Sequence, residues 1–148
     1  DTVSLLGITI ELIHTPVCEP VHPAWISALT TPIATSTAVL QLTDGRYLRI
    51  APCEVELDPG KYPSLGLEIS PCDESALRWR GAGGQIYSMS PLGAASTVLP
   101  LIVASCTPSD PLGEGTTSEV VLSGTRGNSL MFRHIFPPMT LGLAFSTT

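Results

Sequence analysis

The chain has 148 residues, the length of one domain with its own hydrophobic core. Hydrophobic residues make up 43% of it and charged residues 14%, which excludes disorder caused by high charge and low hydrophobicity. The net charge is −6, and one lysine and six scattered arginines do not form the basic surface that nucleic-acid binding requires. Because no apolar run reaches the roughly 18 residues of a membrane helix, we expect neither a nucleic-acid nor a membrane partner.

The N-terminal segment predicts a strand. Leu6, Ile8, Ile10 and Leu12 alternate with glycine or polar residues, the period that turns one face of a strand toward a core. The following residues, 14–37, are rich in proline and threonine and are interpreted as an arm or connection. Within them, residues 23–29 are the only helical candidate, and a proline at position 32 ends it.

Four turn signals divide the rest of the chain into hairpins. Asp44-Gly45 lies between two β-rich runs, and residues 58–61 (Asp-Pro-Gly-Lys) have the composition of a tight turn. Glycine-rich segments at 81–84 and 124–128 separate further short runs. The stretch between Cys106 and Ser118 is predicted from its composition to be a mobile loop.

Proline and glycine, with 14 and 13 residues, leave segments too short for ordinary helices but long enough for strands. We therefore predict an all-β fold, a single compact β-sandwich or β-barrel of about nine or ten strands over residues 1–148. The alternative is a β-trefoil, because residues 65–70, 99–105 and 141–146 share one alternating apolar pattern after a hairpin and a proline-containing link.

The densest group of metal-ligand residues does not predict a metal site. His14, Cys18 and His22 are spaced by four, but Pro16 and Pro20 exclude the helix that would align them. In an extended chain such residues lie about 13 Å apart. We therefore expect no metal and no cofactor.

Catalytic patterns are also missing from the sequence. It contains no Gly-x-Ser-x-Gly elbow and no phosphate-binding loop, and Glu54 with Glu56 is interpreted as the wet face of a strand. His134 is interpreted as a surface or hydrogen-bonded strand histidine. We expect no catalytic residues and no enzyme activity.

Four cysteines, Cys18, Cys53, Cys72 and Cys106, allow three pairings into two disulfides. The N-terminal residues do not form a signal peptide that would indicate an oxidising compartment, so buried free thiols are favoured.

The few aromatic residues suggest where partners bind. Trp79 shares a face with Leu77 and is predicted to be core, whereas Tyr47 and Tyr87 lie opposite inward positions or near turns. The candidate interaction surface consists of these two tyrosines and three arginines: Tyr47, Arg49, Arg78, Arg80 and Tyr87.

Residues 121–148 run from a glycine turn through an apolar strand and a Pro-Pro link to a last strand and a Thr-Thr end. This segment, about a fifth of the chain, resembles the ending of small structural proteins of tailed bacteriophages. The resemblance implies a β-barrel or sandwich that decorates, cements or joins parts of a virion, usually as an oligomer, and it offers no catalytic residues to transfer.

We therefore predict a non-catalytic virion structural protein whose partners are other virion proteins and further copies of itself. The alternative hypothesis is a secreted or surface-bound, lectin-like β domain that binds carbohydrate outside the cell.

Overall fold

The computed structural model describes residues 4–16, 19–20 and 33–147. Its strands are β1 (Thr9–Thr15), β2 (Glu19–Pro20), β3 (Ile33–Thr35), β4 (Ala38–Leu42), β5 (Tyr47–Val55), β6 (Ser64–Cys72), β7 (Arg78–Arg80), β8 (Ile86–Ser88), β9 (Ser90–Pro91), β10 (Leu101–Ser109), β11 (Glu119–Gly124), β12 (Ser129–Ile135) and β13 (Thr140–Ser146). Within the described ranges the helical segments are two short 3-10 helices, η1 (Glu74–Leu77) and η2 (Gly93–Thr97). The predicted all-β class is confirmed.

Ten strands follow one another in a single antiparallel sheet, in the order β2-β3-β13-β12-β11-β10-β1-β4-β5-β6, and β9 pairs with β1. One buried cluster contains side chains from both halves of this path, including Leu40 and Ile50 from one half and Leu122, Phe132 and Leu143 from the other. The sheet therefore folds over on itself around a common core, in agreement with a sandwich or barrel. A single path fits this architecture better than the trefoil alternative.

The free edge of β6 is closed by the loop before β11. The amide of Leu67 donates to the carbonyl oxygen of Thr117 at 2.9 Å, and the amide of Leu65 donates to the Glu114 carboxylate at 2.8 Å. Asp110 in turn accepts from the amides of Glu114 and Gly115. The loop is shorter than predicted, because β10 extends to residue 109, and several of the remaining residues are bonded to β6 or to one another.

All four predicted turns are confirmed. Residues 43–46 join β4 to β5, and Gly45 adopts φ +90°, a conformation that glycine accepts without a Cβ clash. In the turn between β5 and β6, the amide of Lys61 donates to the carbonyl oxygen of Asp58. The glycine-rich segments join β7 to β8 and β11 to β12.

The first strand differs from its predicted pattern. Ile8 and Ile10 are buried as expected, but Leu6 and Leu12 are exposed. The pairing of β1 with β4 shifts register between Ile10 and Leu12, and after this irregularity Ile13 faces the core. An extra residue in one strand reverses the faces beyond it, which the alternation alone could not predict.

Most of the predicted arm, including the helical candidate at 23–29, lies outside the described residues. Much of its described part belongs to the sheet, because residues 14 and 15 end β1, β2 pairs with β3, and β3 pairs with β13. No helix among the described residues is long and apolar enough to cross a membrane.

Candidate interaction surface

The chain between β6 and β10 leaves the main path of the sheet and forms an excursion. This excursion, residues 73–100, contains η1, β7, β8, β9 and η2. It is anchored by the pairing of β9 with β1 and by the amide of Leu92, which donates to the carbonyl oxygen of Ile13 at 2.7 Å. In β4, Ala38 and Leu40 face the main core. Val39 points to the opposite face of the strand and is also fully buried, so this outer face of β4 is covered as well.

The β7–β8 hairpin is the most exposed part of this excursion. All six of its strand residues are exposed, including three large apolar side chains: Trp79 at 41%, Ile86 at 65% and Tyr87 at 47%. Trp79 and Tyr87 are cross-strand neighbours whose ring centroids lie 5.7 Å apart with an angle of 22° between the planes. This is the offset stacking that aromatic pairs favour.

The prediction that Trp79 is a core residue is wrong. Its strand pairs only with β8, in a two-stranded sheet separate from the main path. Leu77 is the last residue of η1, whereas Trp79 lies in β7. The two residues therefore do not belong to one strand, and their alternation does not define a face toward the core. Its sequence neighbours gave a usable signal: Trp79 stands between two arginines, directly before a glycine-rich turn.

The hairpin carries positive charge on an acidic protein. Arg78 and Arg80 flank Trp79, and Arg49 on β5 is exposed nearby. The described residues form three ion pairs, Arg46 with Asp44, Lys61 with Asp58 and Arg133 with Glu119, and none involves these three arginines. Apart from a long contact of 3.5 Å from Arg80 to the carbonyl oxygen of Gly84, their guanidinium groups are available to a partner.

A cleft of about 300 Å³ separates the hairpin from the sheet. Arg49 and Trp79 both line it, together with Pro16, Ser36, Thr37, Ala76 and Met89. Trp79 lines the cleft and Tyr87 does not. The part of the Trp79 indole that faces the cleft is therefore not the part that stacks on Tyr87. The hydroxyl of Thr37 donates to the carbonyl oxygen of Ile50 at 3.0 Å, which keeps its oxygen available as an acceptor.

Tyr47 belongs to a second cleft, of about 460 Å³. Asp73 and Glu74 also line this second cleft, whereas Ala76 of η1 lines the first cleft. Asp73 caps η1 by accepting hydrogen bonds from the side chain and the amide of Ser75, and these bonds lower the pKa of its carboxyl group. Of the five predicted contact residues, the structure thus brings Arg49, Arg78, Arg80 and Tyr87 to the hairpin and places Tyr47 apart.

The two described histidines have structural partners. Nε2 of His14 lies 2.8 Å from Oε1 of Gln41. His134 is fully buried: Nδ1 lies 2.9 Å from the carbonyl oxygen of Gly66, and Nε2 accepts from the amide of Met139 at 2.8 Å. The hydrogen-bonded strand histidine is confirmed and the surface position is wrong.

No group of three or more His, Cys, Asp or Glu side chains in the described part of the chain could hold a metal ion. Cys18 and His22, whose spacing from His14 does not predict a metal site, lie outside the described residues. Cys53, Cys72 and Cys106 are half-buried free thiols, and burial raises the pKa of each.

The turn between β12 and β13 is a second exposed apolar feature, which sequence analysis missed. Phe136 and Met139 are both exposed there, and Met139 has φ +70°, a conformation that is rare for residues other than glycine. The amide of Met139 is held by His134. The sequence Phe-Pro-Pro-Met predicts a link between two strands but does not indicate that its apolar side chains are exposed.

No protein-family model, curated protein or solved structure matches this chain.

Proposed function

We propose that this protein is a non-catalytic structural component of a virus particle, which decorates, cements or connects capsid or tail proteins through its β7–β8 hairpin. The observation that carries the proposal is the exposed Trp79–Tyr87 stack flanked by Arg78 and Arg80. Tryptophan, tyrosine and arginine are the residues that most often dominate the binding energy of protein–protein contacts.

The position of the hairpin supports a binding role. A two-stranded hairpin is marginally stable by itself, and this one belongs to no larger sheet. Its apolar side chains, Trp79, Ile86 and Tyr87, stay in contact with water in the isolated chain. Trp79 and Tyr87 share one face of the hairpin, and Ile86 lies on the other face with Arg80. A partner that covers the Trp79–Tyr87 stack removes this apolar surface from water, and exposed apolar patches commonly mark interaction sites.

The resemblance of the C-terminal segment is the reason for placing the partners in a virion. Residues 121–148 contain most of β11, all of β12 and all of β13, three neighbouring strands. Structural proteins of this kind usually assemble as oligomers, so the proposed partners include further copies of this chain as well as other virion proteins.

Density-gradient fractionation of particles from the organism that encodes the chain tests this function. Mass spectrometry of the particle band should detect the chain at a fixed ratio to the major capsid or tail protein. Recovery of the chain only from the particle-free supernatant would exclude a virion role.

An add-back assay tests the hairpin. Particles lacking the chain are mixed with purified wild-type, Trp79→Ala or Tyr62→Ala protein and sedimented. Tyr62 is 96% exposed and lies in the β5–β6 connection, so it is a matched aromatic control. We expect wild type and Tyr62→Ala to co-sediment with particles and Trp79→Ala to remain in solution. Equal binding of all three proteins would rule out the hairpin as the contact.

One observation favours a second candidate, the carbohydrate-binding domain. An aromatic side chain borders a small cleft that also offers the hydroxyl groups of Ser36 and Thr37. An aromatic platform beside polar groups is a common way to hold a sugar ring. Selective binding on a glycan array that Trp79→Ala abolishes, combined with no association with particles, would favour this function over the virion role.

A further inference from the structure

We infer that the cleft between β5 and the β7–β8 hairpin is a carboxylate-binding subsite, in which Arg49 receives an aspartate or glutamate side chain of the protein partner. This inference rests on the proposed function and specifies the chemistry of the partner. Its first support is the charge of the cleft, which contains a cation and no acidic lining residue.

Arg49 has no internal acidic partner. Glu68 lies on the neighbouring strand β6 and Glu74 on η1, and neither forms an ion pair with Arg49. Asp73 already accepts two hydrogen bonds from Ser75. Arg78 and Arg80 are outside the cleft lining, on the hairpin face opposite Trp79, so their positive charge attracts an incoming carboxylate only from a distance.

The shape of the cleft favours a single side chain over a large ligand. Its volume of about 300 Å³ is at the lower end of the range for ligand pockets. Trp79 and Met89 form apolar walls that can contact the methylene groups of a glutamate side chain, and Arg49 supplies a planar donor group that binds a carboxylate through two parallel hydrogen bonds.

In this inference Trp79 makes two different contacts. One part of its ring stacks on Tyr87 and stiffens the hairpin, and another part forms the cleft wall. A partner that covers the exposed hairpin would thus place one acidic residue in the cleft beneath it. A protein partner with an acidic residue next to an apolar contact surface satisfies both features.

Nuclear magnetic resonance titration of the intact protein tests this subsite. The probes are N-acetyl-glutamate N-methylamide and its uncharged analogue, N-acetyl-glutamine N-methylamide. We expect the acid to shift the side-chain Nε–H resonance of Arg49 and the indole N–H resonance of Trp79, and the amide to have little effect. Arg49→Gln should weaken binding of the acid by about tenfold or more, because charge-assisted hydrogen bonds are the stronger class.

Lys61→Gln removes the same charge from the β5–β6 connection, outside the cleft, and should bind the acid as wild type does. Equal shifts with the acid and the amide, or an unchanged titration in Arg49→Gln, would overturn the inference. Stronger shifts with D-glucuronate than with the glutamate probe would also overturn it, since the carboxylate would then come from a sugar.

Particle binding separates this inference from the proposed function. If Arg49→Gln co-sediments with particles as wild type does while Trp79→Ala does not, the subsite is wrong and the hairpin contact stands. If the acid probe binds through Arg49 but wild-type protein never associates with particles, the virion role fails while the carboxylate subsite stands, without its assigned partner.

Discussion

Nδ1 of His134 lies 2.9 Å from the carbonyl oxygen of Gly66, a residue 68 positions earlier in the chain. Nε2 of the same ring accepts a hydrogen bond from the amide of Met139, so the proton of the neutral imidazole must be on Nδ1 and point toward Gly66. One fully buried side chain thereby joins β12, the edge strand β6 and the turn before β13.

We expect His134→Leu to lower the free energy of unfolding by about 2–4 kcal/mol, because it removes the partner of the buried Gly66 carbonyl and of the part-buried Met139 amide. His134→Asn should lose less, since its shorter amide group can still donate to Gly66. Urea unfolding followed by circular dichroism measures both. Thr125→Ala, in the exposed β11–β12 turn, is the control and should change stability by no more than about 0.5 kcal/mol. A loss in His134→Leu no larger than in this control would contradict the structural role.

Two glycine-to-alanine substitutions should have opposite outcomes. A Cβ at Gly124 would lie 2.2 Å from Oδ1 of Asn128, whose Nδ2 donates to the carbonyl oxygen of Val98 at 2.6 Å in the interior. Gly124→Ala must displace this side chain and should cost about 2 kcal/mol of stability. Gly93→Ala is the matched control, because a Cβ there meets no atom within 4 Å and the change reduces the entropy of the unfolded chain. Thermal unfolding should show a lower midpoint only for Gly124→Ala, and equal midpoints would contradict the packing argument.

The three described thiols should react slowly with alkylating reagents. Burial raises the pKa of Cys53, Cys72 and Cys106, so each contains less thiolate at a given pH than a cysteine of the unfolded chain. Peptide mapping after brief iodoacetamide treatment should give midpoints at higher pH in the folded protein than in urea. The associated stability is fully present below the unfolded pKa and is lost as pH rises through the folded pKa.

Two variants separate the causes of these thiol shifts. Burial raises the pKa of Cys53 most, and the negative charge of Glu68 raises it further, whereas burial alone raises the pKa of Cys106. Glu68→Gln should therefore lower the titration midpoint of Cys53 and leave that of Cys106 unchanged. Arg49 opposes the shift of Cys72, so Arg49→Gln should raise the midpoint of Cys72 further. Midpoints in the folded protein at or below those in urea would disprove the burial argument.

Acid should loosen η1. The side-chain and backbone hydrogen bonds from Ser75 lower the pKa of Asp73, so the stability from this cap is present above the unfolded pKa and is lost as pH falls through the folded pKa. Carboxyl carbon resonances measure the titration. Ser75→Ala should raise the pKa of Asp73 toward its ordinary value. Asp44, whose pKa is lowered by hydrogen bonds from Arg46, is the internal control and should not respond. An unchanged Asp73 pKa in Ser75→Ala would disprove the assignment.

The sequence was a good guide where local chemistry determines the backbone. Asp44-Gly45 and the Asp-Pro-Gly-Lys turn lie where predicted, because a positive φ at glycine and a fixed φ at proline depend on the residue itself. The all-β class followed from the same residues, since they left little room for helices.

Long-range packing was harder to predict. The register shift after Ile10 exposes Leu12 because of pairing with β4, a partner about 30 residues away that the N-terminal pattern does not contain. The loop before β11 has a flexible composition, yet Glu114 and Thr117 are bonded to β6. Trp79 was assigned to the core because its alternation could not reveal that β7 pairs outside the main sheet.

The separate position of β7 and β8 has a practical consequence for engineering. Their turn contains two glycines that must be kept, since a Cβ at Gly81 would lie 2.4 Å from the ring of Tyr87 and Gly84 has φ +84°. Foreign sequence grafted between Ala82 and Gly83 would leave the hydrogen-bonded ladder of the main sheet intact, because that ladder does not include this hairpin. An insertion at this position should therefore block binding of the proposed partner while the main sheet stays intact.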